Sequence, residues 1–280
     1  MTEAEDANLR QWIGRTETAT DWLGTERALA LQAALDRTEP PLREGDWLPP
    51  LRHWLYFWTI VPRPLGRDGH PALGGFLPPV GTARRMWAGS RVQFPGRLRL
   101  GEEARRTSTI LDVRLKAGRT GRLIFVTVRH EISGAQGLAV IDEQDIVYRE
   151  EKGTGASDRG GEAAPTDAPF VERIIPDSTL LFRYSALTFN GHRIHYDRDY
   201  AVNVEGYRGL VVHGPLLATL MVDLAGVGDR QLTHFEFRGH RPVIDINPFT
   251  VCAVARDGAR ALWVADGDGL LAMKGSAEFA

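Results

Sequence analysis

Residues 150–169 divide the chain. The segment reads EEKGTGASDRGGEAAPTDAP and holds almost nothing apolar. It has too little surface to bury to offset its ordering entropy, so it is expected to be a linker. The pieces on either side follow one order: helical material, then short runs of β-forming residues. Before the linker the runs are 92–94, 106–115, 123–132 and 138–147, parted by glycine-containing turns. After it they are 233–242, 249–256, 261–265 and 270–279, with Asp-Gly turns at Asp257-Gly258 and Asp266-Gly267. The mixture of alternating and continuous apolar character in 107–115 and 123–128 suits a curved sheet with one covered face. An α+β chain is expected, with one unit over 1–149, preceded by a helical lead-in, and a second over 170–280.

The helical material is less uniform. Leu9, Trp12 and Ile13 share one face and Leu29, Leu31, Ala34 and Leu35 another, which predicts two helical patterns within 3–36, closed by Pro40 and Pro41. The run His53–Val61, HWLYFWTIV, is the most apolar in the chain and predicts a buried helix or strand rather than an exposed aromatic platform. A Gly/Pro-rich loop follows over 62–79, of a length that is usually functional or disordered. It leads into Arg84-Arg85-Met86-Trp87. Two readings stay open there: a solvated turn, or a contact in which Arg84 and Arg85 pair with a phosphate and Trp87 stacks a base.

Chemistry concentrates in Leu181–Asp223. Asn190, His192, Arg193 and His195 fall within six residues, and His213 precedes Gly214-Pro215. Residues 180–182 suit a buried strand. Leu216, Leu217, Leu220, Met221 and Leu224 form the wide apolar stripe of a helix that starts at Pro215. The sequence thus predicts strand, reactive loop, strand, glycine turn and buried helix.

Composition removes other classes. The 280 residues are 43% hydrophobic and 25% charged, with a formal net charge of -2. That balance argues against a nucleic-acid or anionic-membrane binder. Cys252 is the one cysteine, so no intramolecular disulfide and no zinc-thiolate site can form; its apolar surroundings make it a buried strand residue. His192 and His195 have no third ligand at obvious spacing, so no metal is expected. There is no Gly-rich phosphate loop and no Gly-x-Ser-x-Gly elbow. The polar, acidic start MTEAEDANLRQW is no secretory signal, and no apolar segment reaches bilayer length, so a cytoplasmic location is expected.

The stretches Thr188-Phe-Asn-Gly-His-Arg-Ile-His-Tyr-Asp and Gly209-Leu-Val-Val-His-Gly-Pro resemble the MaoC-like hydratase and dehydratase superfamily. The likeness is strongest to the branch of mesaconyl-C4-CoA and itaconyl-CoA hydratases and mitochondrial-type 3-hydroxyacyl-thioester dehydratases. His53-Trp-Leu-Tyr-Phe, Asp68-Gly-His, Gly74-Gly-Phe-Leu-Pro-Pro and Arg84-Arg-Met-Trp-Ala-Gly-Ser carry it into the first half. The resemblance implies a double hot dog, two units each with a long helix wrapped by a curved antiparallel sheet. It implies a hydro-lyase on a short branched or dicarboxylic enoyl-CoA, giving a 3-hydroxyacyl-CoA. Alternatives are a 3-hydroxyacyl-carrier-protein dehydratase and a non-catalytic acyl-CoA-binding hot-dog protein; a thioesterase would need an acid the sequence does not place.

Laid on the superfamily's Gly-Asp-x-Asn-Pro-x-His motif, His195 takes the final His, while Asn190 stands at the Asp, His192 at the Asn and Arg193 at the Pro. An amide at 190 can position a water or the thioester but cannot take a proton. His195 is then the expected base, and the Gly214 N–H at a helix mouth the expected oxyanion donor. Asn190 completes the catalytic set. Arg193 suits a substrate carboxylate; His192, His213, Arg84, Arg85 and Trp87 complete the expected substrate contacts. Tyr184, Asp197 and Tyr200 are expected either to orient their neighbours or to be plain structure. Beyond the CoA of the substrate no cofactor is expected, and no nucleic acid or membrane partner; a homodimer is left open.

Overall fold

Period-two burial builds the sheet. In β4 (Gly121–Gly134) Ile124, Val126, Val128 and Ile132 are buried while their neighbours are half-exposed. A strand with this alternation must lay one face on a core. The computed structural model describes residues 8–80, 83–118, 121–150, 160–226 and 230–280. Among them the other strands are β1 (Thr16–Trp22), β2 (Ala83–Gln93), β3 (Glu103–Gly118), β5 (Gly137–Glu150), β6 (Phe170–Ile174), β7 (Leu232–Gly239), β8 (Phe249–Arg256), β9 (Ala259–Ala265) and β10 (Leu271–Phe279). The longer α-helices among the described residues are α1 (Thr25–Ala34), α2 (Ser178–Leu187) and α3 (Gly214–Ala225).

The strands form one sheet in the order β1-β3-β4-β5-β2-β7-β10-β9-β8-β6, with every pair antiparallel. Read from the outer edge inward, the first half runs β1, β3, β4, β5, β2 and the second β6, β8, β9, β10, β7. The two orders are the same, and the halves meet where β2 pairs with β7, from Gly89 opposite Arg238 to Gln93 opposite His234. The architecture is the expected double hot dog.

The helix α3 is buried on nearly every side, with Leu216, Leu217, Ala218, Thr219, Leu220, Met221, Val222 and Ala225 all out of solvent. A helix of this kind is stable only when enclosed, and it lies on β8, β9 and β10 with its flanks toward β6 and β7. A half-buried charge network pins it to the first half. The Arg52 Nη2 donates to both carboxylate oxygens of Asp223 at 3.0 Å, and Arg37 reaches Asp223 at 3.3 Å and Glu172 at 2.7 Å.

Four local expectations change. Residues 180–182 are helical, not a strand: the Asp177 side chain accepts from the Leu180 N–H at 2.7 Å as an N-cap, and Leu181, Tyr184 and Ser185 form the buried i, i+3, i+4 face. That leaves Phe182 outside, 63% exposed. Residues 16–22 form an edge strand in place of helix, where Thr16, Thr18 and Thr20 suit extended backbone. Residues 160–169 are docked rather than loose: Leu271 N–H donates to the Glu162 carbonyl, Ala164 N–H to the Gly269 carbonyl, and the Trp263 indole to the Pro165 carbonyl. Residues 151–159 of the expected linker lie outside the described residues. Residues 53–57 bury His53, Leu55, Tyr56 and Phe57, but the run surfaces at Ile60 and Val61. No helix among the described residues is long and apolar enough to cross a membrane.

Asp223→Ala is expected to lower stability by about 3–5 kcal/mol, because it leaves Arg52, 6% exposed, without its carboxylate. Urea denaturation measures this; a loss below about 1 kcal/mol, the range of a solvated pair, would contradict the pinning of α3.

Candidate active site

The loop after α2 is shaped by its own side chains. Thr188 Oγ1 donates back to the Tyr184 carbonyl at 2.7 Å, and Phe189 adopts φ 51°. Asn190 then accepts at Oδ1 from the His192 N–H at 3.0 Å, a side-chain turn that presents the His192 ring. A short 3-10 turn, Arg193–His195, follows. The Val211 N–H donates to the Ile194 carbonyl, and His195 Nδ1 lies 2.7 Å from the Val211 carbonyl. A carbonyl only accepts, so Nδ1 carries the proton and Nε2 is left with a free lone pair.

The His195 ring stacks on that of His213, centroids 3.7 Å apart and planes 19° apart. His213 is fully buried, touches the Tyr184 ring, and is held through Nε2 by Ser185 Oγ at 2.8 Å. It immediately precedes α3, so its position fixes where that helix begins. Gly214, the first residue of α3, has no carbonyl four residues earlier in the helix to receive its N–H. The space over its Cα is open: a Cβ there would meet nothing nearer than Met273 Cε at 3.9 Å and the Trp87 carbonyl at 4.0 Å.

The first half contributes through the long loop. Leu73, Phe76, Leu77 and Val80 pack on the cluster of Ile110, Val126, Ile146 and Tyr148, which anchors the loop over the sheet. Its other end presses on the loop after α2. The Arg193 N–H donates to the Asp68 carbonyl at 2.8 Å. Gly69, at φ 91°, meets Gly191 backbone to backbone, and a Cβ on Gly69 would overlap the Gly191 carbonyl. This contact brings in Asp68 and His70, joined by a 2.8 Å hydrogen bond from His70 Nδ1 to Asp68 Oδ2. The His70 ring lies 4.4 Å from that of His192, which stands edge-on to His195 at 5.3 Å. Four imidazoles from the two halves therefore form one row: His70, His192, His195, His213.

Burial sets the charge of the row. It pushes His195 down to about 3, with the neighbouring His192 adding to the effect and the Val211 carbonyl opposing it. His192 is likewise pushed to about 3 by burial, then by His70. Burial and His195 hold His213 well below the ordinary range. Burial also lowers His70, against the pull of Asp68. Burial alone would raise Asp68, but its bonds and charge contact with His70 overcome that and hold it well below the carboxylate range. Asp68, His70 and His192 have donor atoms within 4.8 Å of one another, a third partner that spacing along the chain did not offer. Asp68 Oδ2 and His70 Nδ1 are already bonded to each other.

The expected substrate contacts are engaged unequally. Arg193 pairs with Asp197 at 2.7 Å, lies over the Tyr200 ring and donates to the Arg67 carbonyl, so it holds loops together. Arg84 pairs at 2.8 Å with the buried Glu205, which also accepts from the Tyr200 hydroxyl. Trp87 packs between Trp54 and Phe237 and donates to Ser90 Oγ. Arg85 is different. It stands opposite Tyr148 in the β2–β5 ladder, and its charge acts on His70, His192 and Tyr148. Among the described residues no carboxylate pairs with it. Asp68, His70, Ser185 and Glu205 were not singled out as site residues from sequence; the one signal was an Asp-Gly-His inside a loop too long to be a plain connection.

Two solved structures share the architecture across the whole chain. One is a MaoC-like dehydratase from Phytophthora capsici, at TM-score 0.67 and 12% identity, covering 98% of each chain. The other is HtdX of Mycobacterium tuberculosis, at TM-score 0.66 and 15% identity, covering 95% of this chain and 100% of the other. The paired hot dogs, a matching family model and a relative 42% identical place the protein among the MaoC-like hydratases and dehydratases. More narrowly, it belongs to the hydroxyacyl-thioester dehydratase type 2 family, whose model matches residues 51–245, and it is a hydro-lyase. The mesaconyl-C(4)-CoA hydratase of Chloroflexus aurantiacus is 42% identical over 274 residues, covering 97% of this chain and 98% of that protein. The mitochondrial hydroxyacyl-thioester dehydratase type 2 of Schizosaccharomyces pombe is 26% identical over 235 residues, covering 73% and 77%.

Gly69→Ala should displace the long loop from Gly191 and reduce kcat/KM by about 10²-fold, the scale of an ångström-sized misplacement at a reacting centre. Far-ultraviolet circular dichroism should stay unchanged. Full activity in this variant would show that the loop contact does not shape the site.

Proposed function

We propose that the protein hydrates a short enoyl-CoA whose β-carbon carries a methyl group and a free carboxylate, as in mesaconyl-C4-CoA, and runs the reverse dehydration. The observation that carries the reaction type is the His195 ring, held by Val211 with Nε2 free and stacked on the residue that opens α3. The substrate class rests on the 42% identity to a mesaconyl-C(4)-CoA hydratase along nearly the full chain.

The reaction needs a base for water, a donor for the enolate oxygen and a proton for Cα. His195 Nε2 takes a proton from water as its oxygen bonds to Cβ. The π electrons of the double bond move toward the thioester, whose oxygen gains negative charge. The Gly214 N–H and the positive end of α3 stabilise that oxygen, and the open space over Gly214 lets the thioester reach the backbone. Protonation at Cα gives the 3-hydroxyacyl-CoA. Asn190 acts through the loop, fixing His192 with its side-chain oxygen. His213 sets the plane of His195 and the start of α3.

The purified protein, incubated with a panel of enoyl-CoAs, should remove conjugated-thioester absorbance fastest with the branched dicarboxylic member. A clear preference for the carrier-protein thioester would replace this substrate class with fatty-acid synthesis. His195→Ala should cut kcat by roughly 10²–10⁴-fold; near-normal turnover in that variant would end the mechanism.

Arg85 is the cation we assign to the substrate's free carboxylate, since a fork of N–H donors matches it and its charge already acts on the histidine row. Arg85→Ala should raise KM for a carboxylate-bearing enoyl-CoA at least about tenfold, the size of one charge-assisted hydrogen bond. KM for crotonyl-CoA, which has no second carboxylate, should stay the same. An equal rise for both would instead place Arg85 on the CoA portion.

A further inference from the structure

We propose that His70, anchored by Asp68, is the second proton-transfer group of the site: it donates to Cα in hydration and removes that proton in dehydration. The inference rests on the hydratase reading above. It answers a problem in the sequence, where the superfamily's carboxylate is replaced by Asn190, an amide that cannot exchange a proton. Asn190 spends its side-chain oxygen on the His192 backbone. The fold supplies another carboxylate from the opposite half of the molecule. Asp68 Oδ2 holds His70 Nδ1 at 2.8 Å and so directs Nε2 away from itself. Through His192 the His70 ring continues into the row that ends at His195 and His213. The Gly69–Gly191 contact gives the arrangement its reason, because it seats an Asp-x-His unit against the catalytic loop.

Charge balance assigns the direction. The pair His70 and His195 carries one proton. The form that hydrates carries the proton on His70, where Asp68 opposes the burial that favours the neutral ring, with His195 neutral. Water gives a proton to His195 Nε2 and its oxygen bonds to Cβ. The enolate collapses and Cα takes the proton from His70. Afterwards His195 holds the proton and His70 is neutral beside Asp68. Dehydration starts from that state, and a proton passing along His192 resets the pair. One water is added, and no proton is gained or lost by the protein over the cycle.

The groups that face His70 are Asp68 on its own loop, His192 from the loop after α2, His195 beyond it, and Arg85 from β2. Tyr148, from β5, is within reach of the charges of both Asp68 and Arg85. Asp68 is the only anion among these, and removing it takes away the partner that favours protonated His70. An acid must be protonated to work, so activity falls as pH rises through its pKa. A lower pKa moves that basic limb to lower pH. A merely structural Asp68 would reduce activity without moving the limb.

The test compares wild type, His70→Gln and Asp68→Asn, each checked for native circular dichroism, on the branched dicarboxylic enoyl-CoA. His70→Gln keeps a donor toward Asp68 and should lower kcat by about 10²–10⁴-fold with little change in KM. Asp68→Asn should move the basic limb of the kcat/KM profile to lower pH. Active wild type with undiminished kcat in His70→Gln would overturn the assignment and leave the hydratase reading standing. So would an unmoved limb in Asp68→Asn. Wild type inactive on every enoyl thioester would overturn both.

Discussion

The structure depends on enclosing α3. Its sequence puts apolar residues on nearly every side, and a helix of that kind has no stable position at a surface. The second half of the sheet wraps it, and Arg52 ties Asp223 near its far end to the first half. Enclosure fixes the axis, and with it the place where the helix begins. His213 is buried there against Tyr184 and Ser185, so the first free N–H of the helix opens where the His195 ring is stacked. The geometry of the site follows from packing that has nothing to do with chemistry.

Burial also decides which groups can carry charge. Three of the four imidazoles are buried and His70 is half-buried, and all four are shifted toward the neutral form. A neutral imidazole is the useful form for a base, and a buried cation would be costly without an anion beside it. Asp68 supplies that anion at one end of the row, and Arg85 brings a permanent positive charge close by. A substrate with a second carboxylate suits such a place, because it brings a negative charge to a region already poised by one fixed cation.

Much of this was legible along the chain, for reasons that differ by element. The strands of both meanders could be read because one face of each is buried and period two survives over many residues. His195 and Gly214 stood out in the sequence through the histidine cluster, the motif it resembles and the helix that follows, and the structure brings both to one place. The helix α2 could not: Leu180, Leu181 and Phe182 look like a strand core until the Asp177 cap and the exposure of Phe182 are known. Residues 16–22 were missed because an edge strand buries little, and so prints no periodicity. Asp68 and His70 were out of reach for another reason. Their loop meets the loop after α2 through residues such as Arg67 and Arg193, 126 positions apart, and no local pattern encodes that pairing.

The position of Asp68 bears on why the first half is there at all. The two halves repeat one strand order, yet the histidine loop and the helix mouth belong to the second. In the first half the corresponding interior holds a closed polar knot. Asp142 accepts from Trp54 and Gln144 with His53 3.5 Å away, and Asp142 and His53 are shut from solvent. This knot holds the 52–57 turn, whose Arg52 pins Asp223. The first half therefore reaches the site twice. Through Arg52 it sets the axis of α3, and through the long loop it delivers the carboxylate that position 190 lacks. A site assembled in this way cannot be separated into its halves, since each contributes a charge that the other's geometry requires.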